Sequence, residues 1–142
     1  MEVNIVIVVD VADYVASNGN AKYIHMIDNV PGSTGEAGSE LHTQVVSGDT
    51  VRWSIVAVSP SDRIEITGFH PYSQGEHNYA FGRDGIANTP AKIAIPGSRE
   101  YWATTILSRS SQDGQSFQYS VGFTANGKYH TYDPFLDVAS HH

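Results

Sequence analysis

Side chains suited to ligand binding are concentrated between His70 and Thr89, where the apolar pattern of the chain lapses. A loop of about twenty residues is uncommon in a compact domain and often carries function. Aromatic rings can stack on sugars, while histidine and amide side chains bond to hydroxyl groups. The loop could instead cover one open end of the fold or pack against a second subunit. The residue types predict a carbohydrate- or small-ligand-binding surface, completed by a nearby strand residue: His70, Tyr72, Gln74, His77, Asn78, Tyr79 and Trp102.

Acidic and amide side chains at two turns are candidate ligands for a hard cation. Asp28 and Asn29 follow a short predicted strand, and Asp133 precedes Pro134 near the end of the chain. Their oxygens are of the type that calcium prefers, but the chain has no Asp-x-Asp-x-Asp-Gly loop. The same side chains could simply close local turns. We therefore expect no required cofactor, with calcium as the one candidate ion.

Catalytic motifs are missing from the sequence. It has no cysteine, which excludes disulfides, thiolate nucleophiles, zinc ribbons and iron–sulfur sites. It has no Gly-x-Ser-x-Gly elbow, no His-Glu-x-x-His pair and no phosphate-binding Gly-rich loop. An enzyme would need a site assembled only in three dimensions, from residues such as His70, His77, Asp28, Asp133 and Tyr72. The sequence predicts that the protein is not an enzyme.

The charge balance limits the choice of partners. Eight basic and fifteen acidic residues give a net charge of −7 with histidine neutral. Nucleic acids and anionic membrane surfaces are bound mainly by clustered lysine and arginine, so neither is expected as a partner. No apolar run approaches the roughly 18 residues of a membrane span. The first run, Val3 to Val9, ends at Asp10 and lacks a basic start, so it predicts a buried strand rather than a signal peptide.

The elements that must position these side chains are short strands. Val51 to Ile55 and Phe117 to Phe123 alternate between apolar and polar residues, the pattern of strands with one buried face. Ile64 to Thr67 alternates too, which predicts a hairpin with the Val51 strand. Asn126-Gly127 predicts a second hairpin. Asp13 is expected to cap a single helical turn.

Eight to nine short strands at regular spacing, with little helix, predict an all-β fold. We expect a single antiparallel β-sandwich with jelly-roll or Greek-key-like topology. Residues 1–140 are expected to form one domain, and residues 141–142, both histidine, are interpreted as a possible tag remnant.

Four segments resemble the AidA/PixA inclusion-body protein family and span nearly the whole chain in order. Many relatives have Trp before the Asp-Pro pair, where this chain has Tyr132. The segments are the apolar strand leading to Asp10 and Asp13-Tyr14, then Tyr23 to Asn29, Gly48 to Trp53, and Tyr132 to Leu136.

The resemblance implies a bacterial, cytoplasmic protein that is abundant, stored in inclusions in some relatives, and without established enzymatic activity. We therefore expect a non-enzymatic storage or ligand-binding protein that forms a homo-oligomer, because the strand edges of a sandwich are best covered by a second copy. The alternative is a lectin-like carbohydrate-binding domain, assisted by a cation.

Overall fold

The computed structural model describes residues 1–71, 78–94, 96–97 and 100–142. These residues form mostly strands, with one short α-helix and two 3-10 turns. No helix among them is both long and apolar enough to cross a membrane. The elements, in chain order, are β1 (Glu2–Val9), α1 (Val11–Ala16), η1 (Ala21–Tyr23), β2 (Ile24–Asp28), β3 (His42–Val45), β4 (Thr50–Ala57), β5 (Ile64–His70), β6 (Asn78–Tyr79), β7 (Ala91–Ile93), β8 (Tyr101–Thr105), η2 (Ser110–Gln112), β9 (Ser116–Gln118), β10 (Ser120–Ala125), β11 (Lys128–Tyr132) and β12 (Phe135–Val138).

The strands form three sheets. The orders are β2-β1-β4-β8-β7, β11-β10-β5 and β3-β12-β9-β6. Three pairs are parallel: β1 with β4, β3 with β12, and β6 with β9. Buried side chains from all three sheets belong to one hydrophobic cluster. The boundary of a single domain at residue 140 remains a prediction.

The all-β prediction is confirmed, but the single antiparallel sandwich of eight to nine strands is wrong. The described residues contain twelve strands in three sheets, of which two mix parallel and antiparallel pairs and β11-β10-β5 is antiparallel throughout. Strands β6 and β7 have only two or three residues, too few for alternation to reveal them. The single strand predicted over Phe117 to Phe123 is divided between β9 and β10, which lie in different sheets. The parallel pairs join segments far apart in sequence, and no local pattern predicts such a pairing.

Alternation correctly predicted core residues in β4 and β10, although β10 also buries Ser120 and Gly122. Val51 and Trp53 of β4 are fully buried, as are Val121 and Phe123 of β10. The Asn126-Gly127 hairpin between β10 and β11 is also confirmed. Both turn residues have positive φ, at 50° and 84°, as a two-residue type I′ turn requires.

The helix α1 begins earlier than predicted. It starts at Val11, and the carboxylate of Asp10, not Asp13, caps it by accepting the Asp13 N–H at 3.5 Å. The helix buries Tyr14, whose ring meets His130 of β11 edge-on at 4.8 Å between centroids. The early start therefore places the helix against the inner side of the β10–β11 hairpin.

The predicted hairpin between β4 and β5 does not form. The two strands follow each other in sequence, yet β4 lies in the five-stranded sheet and β5 in the three-stranded sheet. The polar connection, residues 58–63, is longer than the two-residue turn that best holds paired strands together. It carries the chain from one sheet to the other and leaves a cleft between the two strands.

An aromatic cluster fills the core beside this cleft. The rings of Trp53, Phe69, Phe81 and Tyr119 lie 4.9–6.0 Å apart, and the Trp53 Nε1–H donates to the Tyr119 hydroxyl at 3.0 Å. Phe81 comes from the predicted long loop, together with three other buried residues, Ala80, Ile86 and Ala87. The described second half of that loop is thus anchored in the core.

The two ends of the chain meet at Asp49. Its carboxylate is 3.2 Å from the amino group of Met1 and 2.6 Å from Nε2 of His142, and it accepts the Val46 N–H at 2.9 Å. Burial alone would raise the pKa of Asp49, but these three partners together hold that pKa below its usual value. His142, interpreted as a possible tag remnant, therefore contacts the fold.

Candidate functional site

A cleft lies between β4 and β5 in the described part of the chain. It has a volume of about 1100 Å³ and is lined by residues 55–65 together with Thr124, Asn126 and Gly127. A smaller cavity of about 190 Å³ shares Ile55, Ile64 and Glu65 with it. The smaller cavity continues to Ile66, Glu100 and Trp102. The two cavities form one groove that runs from the β4–β5 connection to Trp102.

One wall of the groove is the free half of β4. Thr50 and Val58 donate their N–H groups to carbonyl oxygens at the two ends of the neighbouring strand β1, at 3.1 and 3.0 Å. Because alternate residues of a strand face opposite sides, the backbone groups of Ile55 and Ala57 face away from β1. On that side, β8 pairs with β4 only at residues 50–53. Ile55 and Ala57 therefore present N–H and C=O groups at the groove that have no strand partner among the described residues.

The opposite wall is the free edge of β5. Asn126 donates its N–H to the Arg63 carbonyl at 2.8 Å, so Arg63 and Glu65 face the neighbouring strand β10. The backbone groups of Ile64 and Ile66 face the other way, and no described strand pairs with β5 there. The groove is thus bounded by two strand edges with free hydrogen-bonding groups.

Apolar side chains form the floor of the groove. Ile55, Ala57, Ile64 and Trp102 are partly buried and pack against the core, leaving part of each surface uncovered. The Trp102 ring leans on Phe69, with centroids 5.7 Å apart. Trp102, predicted as a ligand-binding residue, therefore lies where the aromatic cluster meets the groove.

Acidic side chains dominate the rim. Glu65 is exposed at the point where the two cavities join, and Glu100 lies beside Trp102, with Lys92 at 3.3 Å. Asp62 accepts a hydrogen bond from the Asn126 amide at 3.1 Å. Within the described part of the chain, Arg63 is the one basic residue that lines either cavity. The described rim thus carries three carboxylates and one guanidinium, and one of those carboxylates, that of Glu100, is paired with Lys92.

The other predicted ligand-binding residues lie apart from the groove or beyond the described chain. His70 ends β5 on its exposed face, and Asn78 and Tyr79 form β6. Tyr79 packs edge-on against Phe81 at 5.7 Å, and burial raises its pKa. Tyr72, Gln74 and His77 lie outside the described residues. The predicted surface over this loop stays a prediction.

Two of the predicted cation ligands, Asp28 and Asn29, make local hydrogen bonds. Asn29 accepts the Asn4 N–H at 2.8 Å and donates to the Glu2 carbonyl at 3.0 Å, which fastens it to β1. Asp28 Oδ1 accepts the Val30 N–H at 2.9 Å, while Oδ2 is buried without a partner. Among the described residues, no three acidic or histidine side chains converge in a group that could hold a metal ion.

A histidine, a serine and an aspartate lie in a row at the start of β10. His70 and Asp133 were among the residues named for a site assembled in three dimensions, whereas sequence reasoning missed Ser120. Ser120 is opposite His70 in the strand register. Burial raises the pKa of Asp133, and a hydrogen bond from the Ser120 hydroxyl to this carboxylate acts in the opposite direction. In a catalytic triad the carboxylate orients the histidine, which in turn accepts the serine proton. Here the carboxylate reaches the serine, and His70 makes no hydrogen bond to Ser120 or Asp133. The row therefore lacks an activated nucleophile.

Comparison with known proteins places the fold. The chain is similar to the crystal structure of the inclusion body protein PixA from Burkholderia cenocepacia J2315, with a TM-score of 0.76 over 98% of this chain and 95% of that chain. The two sequences are 14% identical, so the likeness concerns the fold, and at that level it confirms the resemblance to the AidA/PixA family. No curated protein matches the chain. A family model described as a domain of unknown function, DUF8788, matches residues 1–131, and the chain therefore belongs to the DUF8788 family.

Proposed function

We propose that this protein is non-catalytic and assembles with copies of itself through the free edge of β11. The observation that carries the proposal is the register of the β10–β11 hairpin. Ala125 and Lys128 flank its two-residue turn and form a hydrogen-bonded pair. Alternation then turns the backbone groups of Tyr129 and Thr131 away from β10, toward solvent. An exposed edge of this kind is a template for a strand from another chain.

Two copies of β11 fit together when they run antiparallel about His130. Tyr129 of one copy then lies opposite Thr131 of the other, and both present outward N–H and C=O groups. An aromatic residue opposite a β-branched residue is a favourable cross-strand pair. The two three-stranded sheets would join into one six-stranded sheet, closed by a two-fold axis.

The charge of β11 and the pairing of other strand edges also favour β11 as the interface. The chain has a net charge of −7, so copies repel each other, but β11 carries Lys128 and no acidic residue. Two other edges are already covered. Met26 of β2 bonds to Ala37 and Gly38, and a bridge to residue 34 covers β3. Since the neighbouring fold is that of an inclusion body protein, we extend the proposal to a stored assembly in the bacterial cytoplasm.

The test is sedimentation velocity across a broad micromolar range, with Thr131→Pro as the decisive variant. Proline removes the N–H that faces solvent and leaves the bonds to β10 intact. We expect the wild type to sediment as a dimer or larger, and the variant as a 15.4 kDa monomer with an unchanged circular dichroism spectrum. Thr131→Ser keeps the N–H and should still assemble. A wild type that stays monomeric throughout would refute self-association, and assembly of Thr131→Pro would refute this edge.

A second candidate function is carbohydrate binding on the outer face of β5 and β10. A Cβ atom at Gly122 would lie 2.8 Å from the Tyr129 hydroxyl and 3.1 Å from Nε2 of His70. The missing side chain thus lets the Tyr129 hydroxyl and the His70 imidazole lie close to the backbone of Gly122, and a ring, a hydroxyl and an imidazole in one place suit a sugar. A glycan array with and without calcium tests this. Loss of a glycan signal in His70→Ala, at unchanged melting temperature, would support it, and an array without any signal would exclude it.

A further inference from the structure

We infer that the groove between β4 and β5 binds an extended peptide segment in which apolar and basic residues alternate. The peptide would add as a strand to the groove's free edges. This site is separate from β11 and does not depend on the proposed self-association.

The backbone of the groove supplies the first argument. Ile64 and Ile66 on one side, and Ile55 and Ala57 on the other, each present an N–H and a C=O that no described strand pairs. Within each pair the residues are two positions apart, which is the spacing at which one strand bonds to the next. Peptides recognised by strand addition gain affinity from such main-chain bonds.

The side chains supply the second argument. Ile55, Ile64 and Trp102 are only partly covered, and they form an apolar floor beneath the free edges. Side chains of a bound strand alternate between its two faces. Every second residue of the peptide would therefore rest on this floor, and the residues between would point outward.

Charge determines what the outward residues should be. Glu65 is exposed at the middle of the groove, Glu100 lies near Trp102, and Asp62 lies at the other end. Lysine or arginine at alternate positions would face these carboxylates. A second copy of this acidic chain would bring further negative charge. A sugar would leave the strand-spaced backbone groups of both walls imperfectly paired.

The probe is the blocked hexapeptide Lys-Val-Lys-Val-Lys-Val, titrated by calorimetry and followed by NMR at Ile64 and Trp102. We expect saturable binding that weakens as salt is added. The same peptide N-methylated at alternate residues has the same side chains but cannot form the ladder, and it should bind at least about tenfold more weakly.

Two variants locate the site. Ala57→Pro removes an N–H at the groove without touching the bonds between β4 and β1, and it should weaken binding roughly three- to tenfold. Glu65→Lys should weaken it about tenfold. Asp113→Lys makes the same charge change at an exposed residue outside the groove lining and should leave the affinity within about twofold.

The inference fails if the peptide does not bind at millimolar concentration, or if the N-methylated peptide binds equally well. It also fails if maltohexaose shifts the Ile64 and Trp102 signals while the peptide does not, since that would assign the groove to carbohydrate. Repeating the titration with Thr131→Pro separates this site from self-association. If a monomeric variant still binds the peptide, peptide binding at the groove is supported independently of self-association through β11.

Discussion

Replacing Tyr119 by phenylalanine isolates one polar contact in the core. The Tyr119 hydroxyl accepts the Trp53 Nε1–H at 3.0 Å, and both residues are fully buried. Burial raises the pKa of Tyr119 well above its ordinary value, so the hydroxyl is neutral at every pH suitable for the assay. The change to phenylalanine keeps the ring that packs on Phe69 and Phe81. It removes only the acceptor.

The expected loss of stability follows from the indole N–H of Trp53, which the substitution leaves without an acceptor. The variant retains a buried indole N–H without a partner, and such a group costs about 1–3 kcal/mol. A tyrosine hydroxyl no longer has to be desolvated, which offsets part of this cost, so we expect a loss of about 2 kcal/mol. For a chain of this length that corresponds to a melting temperature lower by roughly 6–8 °C.

Urea unfolding followed by circular dichroism measures the loss as a shift in midpoint at constant slope. Tyr129→Phe is the matched control, because Tyr129 is 53% exposed and its removal should change stability by less than about 0.5 kcal/mol. If Tyr119→Phe unfolds within about 0.3 kcal/mol of the wild type, the Trp53–Tyr119 bond does not support the core, and the reasoning from burial is wrong.

Three further predictions concern a turn and two titrating groups. A Cβ at Gly85 would lie 2.3 Å from the Ala80 carbonyl oxygen, so Gly85→Ala should displace the turn that holds Phe81 in the core. We expect the free energy of unfolding in urea to fall by about 1–3 kcal/mol, and an unchanged midpoint would contradict this. Burial, together with the nearby charge of Lys128, lowers the pKa of His130, so the folded state binds a proton at His130 more weakly than the unfolded state does. Stability should therefore fall as the pH drops below about 6.5, the unfolded-state value, and His130→Phe should flatten that slope between pH 8 and 5.5. The lowered pKa of Asp49 acts at a lower pH: its contribution is present above about 4 and is lost as the pH falls through the folded-state value. Asp49→Asn should be less stable at pH 7 and show a weaker acid dependence, and equal acid unfolding curves would refute this.

Local patterns in the sequence determined the longer strands and which of their side chains enter the core. Alternation around Trp53 and Phe123 predicted which side chains enter the core, because successive residues of a strand point to opposite faces. Asn126-Gly127 determined one hairpin, because few residues adopt the positive φ angles of its turn. These features depend on neighbouring residues alone, so they can be recognised without knowing the fold.

Tertiary structure decided which strands pair and where a site lies. The choice of β1, rather than β5, as a neighbour of β4 rests on packing between distant segments, which alternation cannot encode. That choice separates β4 from β5 and opens the groove at Ile55 and Ile64. The loop in which the sequence predicts a ligand surface also contributes Phe81 to the core. Burying an apolar side chain is favourable, but a short apolar stretch in a polar loop has no periodicity from which its burial could be predicted. The groove depends on backbone groups left without a strand partner, and only the assembled sheets determine which groups those are.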